Sequence, residues 1–373
     1  MARIYWRFYR LPKLLYNYIK CFFHRLKYTV RSLTHNHFMD NSYAADVCME
    51  PLFWFVDNST YAIGPFFVIA VVVLTASVVF IAYWLGLPYW WHRNSLVCVF
   101  LVIFGNWLLL NVSFHYYMAV TTHPGYPPQG ELITEAVSIC KKCISPKPPR
   151  THHCSVCNRC ILKMDHHCPW LNNCVGYRNH RYFYLYMAYM IAGVSFIIIF
   201  GAELAYQEIW LTPELPDPVL EGHPVKLNKT GAIIMMTEAY YQSGVTAEPE
   251  VEHEVSPMEM WRRRAIIYMA LINTGVLFAL GGLLAWHSRL ASKGETSIEA
   301  NINKAETTRL AERGRIYINP YNFGSRKNWR LFLGLVKGRT WWRHVLLPSA
   351  HDPIGDGLTW HTVNDDVFPD EWP

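Results

Sequence analysis

Between Cys140 and Cys174 one pattern of soft donors occurs twice, Cys-x2-Cys-x9-His-x6-Cys, the second copy displaced from the first by fourteen residues. Cys140, Cys143, His153 and Cys160 form one set; Cys154, Cys157, His167 and Cys174 form the other. Thiolate and imidazole suit zinc, and four protein ligands close a tetrahedral site, so both ions would be structural with no position left for a substrate. The spacing permits other groupings, and the repeat is the reason for choosing this one. A lumenal disulfide module is the competing reading, but Cys-x2-Cys pairs with matched histidines fit metal better than bridges. Cys168 is left over, beside Asp165 and His166. A thiol near an imidazole that a carboxylate orients is an arrangement for nucleophilic catalysis. Cys168 would attack, His166 would take and return the proton, and Asp165 would hold the imidazole tautomer. The alternative makes Cys168 a spare ligand and Asp165 a hydrogen-bond partner of a metal-bound histidine. Spacing alone leaves the two readings even.

The elements that position this segment belong to a membrane protein. Of 373 residues, 52% are hydrophobic, 15% aromatic and only 17% charged, a balance unlike that of soluble domains. Pro65 to Leu85, Ser95 to Tyr117, Tyr182 to Ala202 and Ala265 to Trp286 contain no Asp, Glu, Lys or Arg. Each reaches the roughly 20 residues that a helix needs to cross the hydrocarbon core. Asn106 and Asn111 within the second are expected to face neighbouring helices rather than lipid. The fold class is therefore an all-α integral membrane protein: four transmembrane helices, with a small cytosolic two-zinc cysteine-rich domain between helices 2 and 3.

Charge sets the orientation. Residues 1–62, 118–181 and 287–373 hold eight, eight and twelve Lys and Arg, against one and five in the first and third connections. The positive-inside rule then places both termini and the metal segment in the cytosol, with Arg262, Arg263 and Arg264 as the exception. A reducing cytosol keeps the seven cysteines of that segment available as ligands or nucleophile. The domains follow: a basic, aromatic interfacial arm over 1–62; helices 1 and 2 over 63–117; the metal domain over 118–181; helix 3 over 182–202. An acidic lumenal loop over 203–264, helix 4 over 265–286 and a cytosolic tail over 287–373 complete the chain. In the arm, Arg3, Arg7 and Arg10 interleave with Tyr5, Trp6, Phe8 and Tyr9, as in a helix lying on the inner leaflet. Gly86 to Asn94 reads as a tight hairpin, and Asn228-Lys229-Thr230 in the lumenal loop is a glycosylation sequon. The tail opens with an amphipathic helix over Ser297 to Arg313, capped by Thr296 or Ser297 and stopped at Gly314, and its last twenty or so residues read as irregular. Trp329, Phe332 and Leu333 form an apolar cluster able to dock on the metal domain or the membrane.

The metal segment ends at His180 and Arg181, immediately before the third span, which puts Cys168 at the membrane surface. A nucleophilic thiol there suits a substrate with a long apolar tail and a polar head, such as a fatty acyl thioester. Cys140 to Cys174, with Asp165-His166-His167-Cys168 followed by Pro169-Trp170-Leu171-Asn172-Asn173-Cys174-Val175-Gly176, resembles the cysteine-rich domain of the DHHC family of protein S-acyltransferases. Thr296-Ser297-Ile298-Glu299 resembles that family's Thr-Thr-x-Glu motif with one substitution. Asn319-Pro320-Tyr321-Asn322, with Asn328-Trp329, resembles its C-terminal palmitoyltransferase motif, whereas His123-Pro124-Gly125 departs from the usual Asp-Pro-Gly.

The resemblance implies two structural zinc ions in the grouping above and a ping-pong reaction. Cys168 would take a long-chain acyl group, usually palmitoyl, from acyl-CoA as co-substrate and pass it to a cysteine thiol of a protein. Membrane-associated substrates with juxtamembrane cysteines, the lipid bilayer and acyl-CoA are the implied partners. Nucleic acid is not among them, since cytosolic basic charge next to a membrane favours lipid headgroups or a phosphate-bearing ligand. Lys147, Arg150 and His152 are candidates for facing the CoA phosphates, with an ordinary solvated or lipid-facing surface as the alternative. Trp170 would line the mouth of an acyl cavity among the spans, or anchor the domain at the interface. The implied location is the endoplasmic reticulum membrane, with the Golgi as alternative. Two readings from other classes compete: a membrane-tethered zinc adaptor without chemistry, and a ubiquitin ligase with a cross-braced zinc fold. Neither needs a free thiol at 168.

Overall fold

The structure is a computed structural model that describes residues 11–34, 41–128, 133–134, 136–211, 223–226, 233–236, 256–336 and 338–365. The aromatic and basic residues before Leu11, the Asn228 sequon and the last eight residues lie outside the described residues. Four helical stretches among those described are long and apolar enough to cross a membrane: Val47–Arg93, Ser95–Thr121, His180–Ile209 and Pro257–Lys293. All run past the charge-free windows in the sequence. Charged residues near their ends, such as Arg93 and Lys293, continue a helix while their heads reach for water.

Helix α1 (Leu11–Thr34) precedes α2 (Asn41–Ile81), which passes through Pro51 and Pro65 without ending. Tyr18 stacks on Trp54, with ring centroids 4.9 Å apart, and Arg25 lies over the same indole at 5.1 Å. The segment expected as a hairpin is helical instead. A turn of π-helix (Ala82–Gly86) leads into α3 (Leu87–Arg93), and the chain breaks only at Asn94, whose extended backbone and Oδ1 accept the first amides of α4 (Ser95–Thr121). Pro88 near the start of α3 lacks only a hydrogen that a helix beginning leaves unused anyway.

Two compact units are present. One contains the described residues of Val78–Phe104 and Gly193–Phe278. In it Leu85, Leu204 and Ile266 share a core, Arg93 pairs with Glu203 at 2.6 Å, and Arg262 is ion-paired with Glu208. That pairing neutralises one of the three arginines that break the charge asymmetry. A short pair of strands, β7 (His223–Lys226) and β8 (Ile233–Met236), also belongs to it.

The other unit contains the described parts of Met1–Ser77, Gly105–Ala192 and Ala279–Pro373. Asn111 is fully buried there and donates to the carbonyls of Trp107 and Leu346, whereas Asn106 is exposed. Within this unit the metal segment folds as three antiparallel hairpins: β1 (Ser138–Cys140) with β2 (Ser145–Lys147), β3 (His152–Cys154) with β4 (Arg159–Ile161), and β5 (His166–Cys168) with β6 (Asn173–Val175). Each begins fourteen residues after the last in the same register, and the residues after each tip, Ile144, Asn158 and Asn172, share the left-handed conformation (φ 53°, 51° and 48°). The sequence repeat was visible twice; the backbone repeats three times.

The hairpins are tied to the spans by polar side chains. Asn173 Nδ2 donates to the carbonyls of Ala119, Val120 and Thr122, filling acceptors left open at the end of α4. Pro124 and Gly125 accept the amides of Arg178 and Leu162 through their carbonyls, while the His123 side chain is exposed. The His-Pro-Gly segment therefore works through its backbone here. After α5 (His180–Tyr206) and α6 (Pro257–Lys293) comes α7 (Ser297–Ala311), with a reciprocal capping box between Thr296 and Glu299. Gly314 follows α7 with φ 67°, as a helix stop requires. The helix is not amphipathic as expected: beyond its first turn it is mostly exposed, and it is held by its N-terminus rather than by an apolar stripe. Helix α8 (Ser325–Phe332) docks on the start of α5, with the Trp329 and Phe332 rings 5.2 and 5.4 Å from that of Tyr184.

Gly176, just after β6, has no room for a side chain. A Cβ would lie 2.7 Å from Ile161 Cγ2 and 2.9 Å from the carbonyl oxygens of Leu162 and Pro124. Gly176→Ala is expected to destabilise the hairpin ladder by about 1–3 kcal/mol, measured as a lower temperature of zinc release from the detergent-purified protein.

Candidate functional site

The two ligand sets found by repeat are gathered in space, with the ligand atoms of each set within 4.8 Å of one another. In the first, the Cys140 and Cys143 sulfurs lie 3.7 and 3.2 Å from His153 Nδ1, and Cys160 Sγ is 3.8 Å from Cys143 Sγ. In the second, the Cys154, Cys157 and Cys174 sulfurs lie 3.8, 3.3 and 3.5 Å from His167 Nδ1, and Cys157 and Cys174 are 3.5 Å apart. Zinc–sulfur bonds of about 2.3 Å require tetrahedral edges of about 3.8 Å. Both sets therefore fit zinc in a closed, structural role. The amides of Cys143 and Cys157 donate to the sulfurs of Cys140 and Cys154, which helps stabilise a thiolate in each.

The third hairpin shows why Cys168 is not a ligand in either set. It occupies the register position of Cys140 and Cys154, but the partner position held by Cys143 and Cys157 is taken by buried Leu171. Fourteen residues beyond His167 and Cys174 stand Arg181 and Ala188, inside α5 rather than in a fourth hairpin. A thiol with the backbone setting of a zinc ligand is left with no metal site to complete.

Around that thiol the strand alternation sorts the side chains. Cys168 is 6% exposed and Asp165 only 1%. His166 Nδ1 donates to Asp165 Oδ2 at 2.6 Å, and the buried Cys168 thiol lies close enough to influence the imidazole electrostatically. Burial disfavours the imidazolium, but the hydrogen bond to Asp165 and the charges of Asp165 and Cys168 outweigh it and raise His166 to about 9. Burial likewise opposes ionisation of Asp165, yet His180 and His166 hold it far below the usual carboxylate range.

Asp165 has further partners that sequence reading did not bring to it. The Ser297 amide donates to Oδ1 at 2.7 Å and its hydroxyl to Oδ2 at 3.1 Å, so the N-terminus of α7 meets the carboxylate across 132 residues. His180 Nε2 lies 3.9 Å from Oδ1, and the His287 ring centroid is 5.9 Å from that of His166. His287 stands next to the fourth charge-free window, where histidine was not counted as polar; an ionisable ring at a membrane helix end was the available signal.

Other candidates fall elsewhere. Arg150 is spent on structure: its Nε and one terminal nitrogen each donate to Glu299 at 2.6 Å, another bond goes to the Gly294 carbonyl, and Tyr321 and Trp360 lie 4.3 and 4.6 Å from it. Burial would raise the Glu299 carboxyl, but Arg150 holds it below its ordinary value. Lys147 and His152 sit half-buried on β2 and β3. Trp170 is 52% exposed, with its ring 4.8 Å from Phe67 and its carbonyl accepting from Tyr116 Oη at 2.9 Å.

Membrane helices, two zinc-binding clusters and a thiol–imidazole–carboxylate group define a class of membrane acyltransferase. A family model described as DHHC palmitoyltransferase matches residues 133–218. The palmitoyltransferase ZDHHC16 of Homo sapiens is 44% identical over 336 residues, covering 90% of this chain and 85% of that one. ZDHHC16A of Danio rerio is 40% identical, covering 96% and 92%, and a probable protein S-acyltransferase of Arabidopsis thaliana is 28% identical, covering 61% and 63%. The chain belongs to the DHHC palmitoyltransferase family and is a protein S-palmitoyltransferase of the membrane.

Two outcomes separate the roles of these residues. His167→Ala is expected to lower zinc content from two ions per chain, whereas His166→Ala should retain both, as read by metal analysis of purified protein. Glu299→Ala, which strands the buried Arg150, should cost about 3–5 kcal/mol, and Arg150→Met in the same chain should recover part of that loss in denaturant titration.

Proposed function

We propose that Cys168 carries the acyl group, taking it from a long-chain acyl-CoA and passing it to the thiol of a membrane-associated protein. The observation that supports this most is a buried sulfur excluded from both metal sets and standing two residues from His166 on the same strand, an imidazole that Asp165 holds in turn. The Cys168 sulfur attacks the thioester carbonyl, the bond from carbonyl carbon to CoA sulfur breaks, and CoA leaves with a proton supplied through His166. In the second half the substrate thiol gives its proton to His166 and displaces Cys168 from the same carbon. Asp165 keeps Nδ1 protonated, so that Nε2 is the nitrogen that exchanges protons.

The acyl chain would lie against Trp170, Phe67, Tyr116 and Tyr186, where Trp170 packs on Phe67 and Tyr116 on Tyr186. Lys147 and His152 would face the CoA phosphates, while Arg150 supports the active site by fixing the start of α7. The charge asymmetry of the connections supports cytosolic termini and a cytosolic metal domain, with the domain divisions given by the sequence. Substrates would be proteins presenting cysteines beside the bilayer, and the ZDHHC16 relatives favour the endoplasmic reticulum membrane.

Incubation of the purified enzyme with labelled palmitoyl-CoA should give label on the protein that hydroxylamine releases. Cys168→Ser should abolish that label and all transfer while keeping two zinc ions per chain. Loss of a zinc from this variant, or label that survives hydroxylamine, would remove Cys168 from the role.

A further inference from the structure

A cavity of about 350 Å³ lies among the loops that flank the third hairpin, the start of α5, the end of α6 and the tail; Cys168, His166, Lys147 and His152 do not line it. Its walls are in part aromatic, with Tyr321, Phe332 and Trp360. Three nitrogen-bearing side chains reach it, of which His180 also faces Asp165 through Nε2 at 3.9 Å. Lys163 has its amine 5.3 Å from the centre of the Trp360 ring and no carboxylate partner among the described residues. Arg178 has no ion pair among them either, and its backbone amide donates to the Pro124 carbonyl. His180 is 6% exposed and its Nδ1 has no hydrogen-bond partner.

The acids of the same wall are already in use. Glu295 accepts from Asn303, and Asp356 caps the amides of Leu358 and Thr359. The nearby Glu299 is taken by Arg150. A half-buried ammonium with no carboxylate at salt-bridge distance is costly, and a protein relieves that cost either by losing the proton or by admitting an anion. Burial and the neighbouring Arg150 push the Lys163 amine down to about 7, against the weaker opposing pull of Glu299 and Asp165. A phosphate monoester supplies the anion: its oxygens match two cations and one imidazole N–H, and its organic part would rest on the rings.

We propose that this cavity binds a small organic phosphate, held by Lys163, Arg178 and His180, at a site separate from that of the acyl donor. The site does not depend on which residue carries the acyl group. Lys163 lies two residues before Asp165 and His180 is 3.9 Å from it, so the ligand would contact side chains that surround the catalytic carboxylate.

The test uses the full zinc-loaded chain and follows acetylation of Lys163 by an amine-reactive ester, quantified by peptide mass spectrometry with exposed Lys304 as internal reference. Saturating phenyl phosphate in detergent micelles should slow labelling of Lys163 about tenfold, leave Lys304 unchanged, and be ineffective when replaced by neutral benzyl alcohol. Arg178→Gln, a substitution at an exposed side chain, should keep Lys163 reactive while losing most of the protection. Phosphatidylcholine nanodiscs with and without phosphatidic acid form the second arm. Protection there alone assigns the phosphate to a lipid headgroup, and protection by phenyl phosphate assigns it to a soluble ligand. No protection in either arm, equal protection by benzyl alcohol, unchanged protection in Arg178→Gln, or protection by CoA itself would overturn the proposal.

Discussion

Each metal set joins the tip of one hairpin to the strands of the next: Cys140 and Cys143 reach forward to His153 and Cys160, and Cys154 and Cys157 to His167 and Cys174. Three-residue strands and their turns bury too little to hold a shape by themselves, so this stepwise cross-linking stands in for a core. It fixes the third hairpin relative to the first two, and with it the direction of every side chain on β5. His167 points to metal because its neighbours on the strand, His166 and Cys168, take the opposite face. One register sends one imidazole to a metal set and the adjacent one to the face of the leftover thiol.

A second constraint acts on the side of the leftover thiol. Asp165 is almost wholly buried, which is tolerable only because His166 and the Ser297 amide and hydroxyl satisfy it. Ser297 is in turn held by the capping box of α7 and by the fork between Arg150 and Glu299. The carboxylate that accepts from His166 therefore depends on an ion pair that belongs to neither metal set.

Much of this was legible in the sequence. The ligand sets, the spans and the leftover cysteine follow from residue type and spacing, because metal coordination and the bilayer impose periodic, local demands. The third copy of the repeat was hidden because Leu171 and Asn172 keep its backbone but not its ligands. Ser297 looked like a weakened motif position, and only the fold shows that its amide and hydroxyl both meet Asp165. His287 was passed over because it falls one residue beyond the fourth apolar window, at the start of the tail, with no local pattern tying it to the metal segment. The hairpin expected over Gly86 to Asn94 failed for a related reason: glycine and proline signal a turn in water, while next to a membrane a helix can run through both. Arg150 was read as a surface cation, and its bidentate partner lies 149 residues away, beyond the reach of any local pattern.

The reach from Asp165 to Ser297 bears on how such enzymes can be recombined. A cysteine-rich segment moved alone into another scaffold would carry its metals and its thiol but leave the orienting carboxylate without two of its donors. Chimeras that exchange specificity between relatives would need to transplant the residues after the last span together with the hairpins, as a single cassette divided in the chain but joined in space.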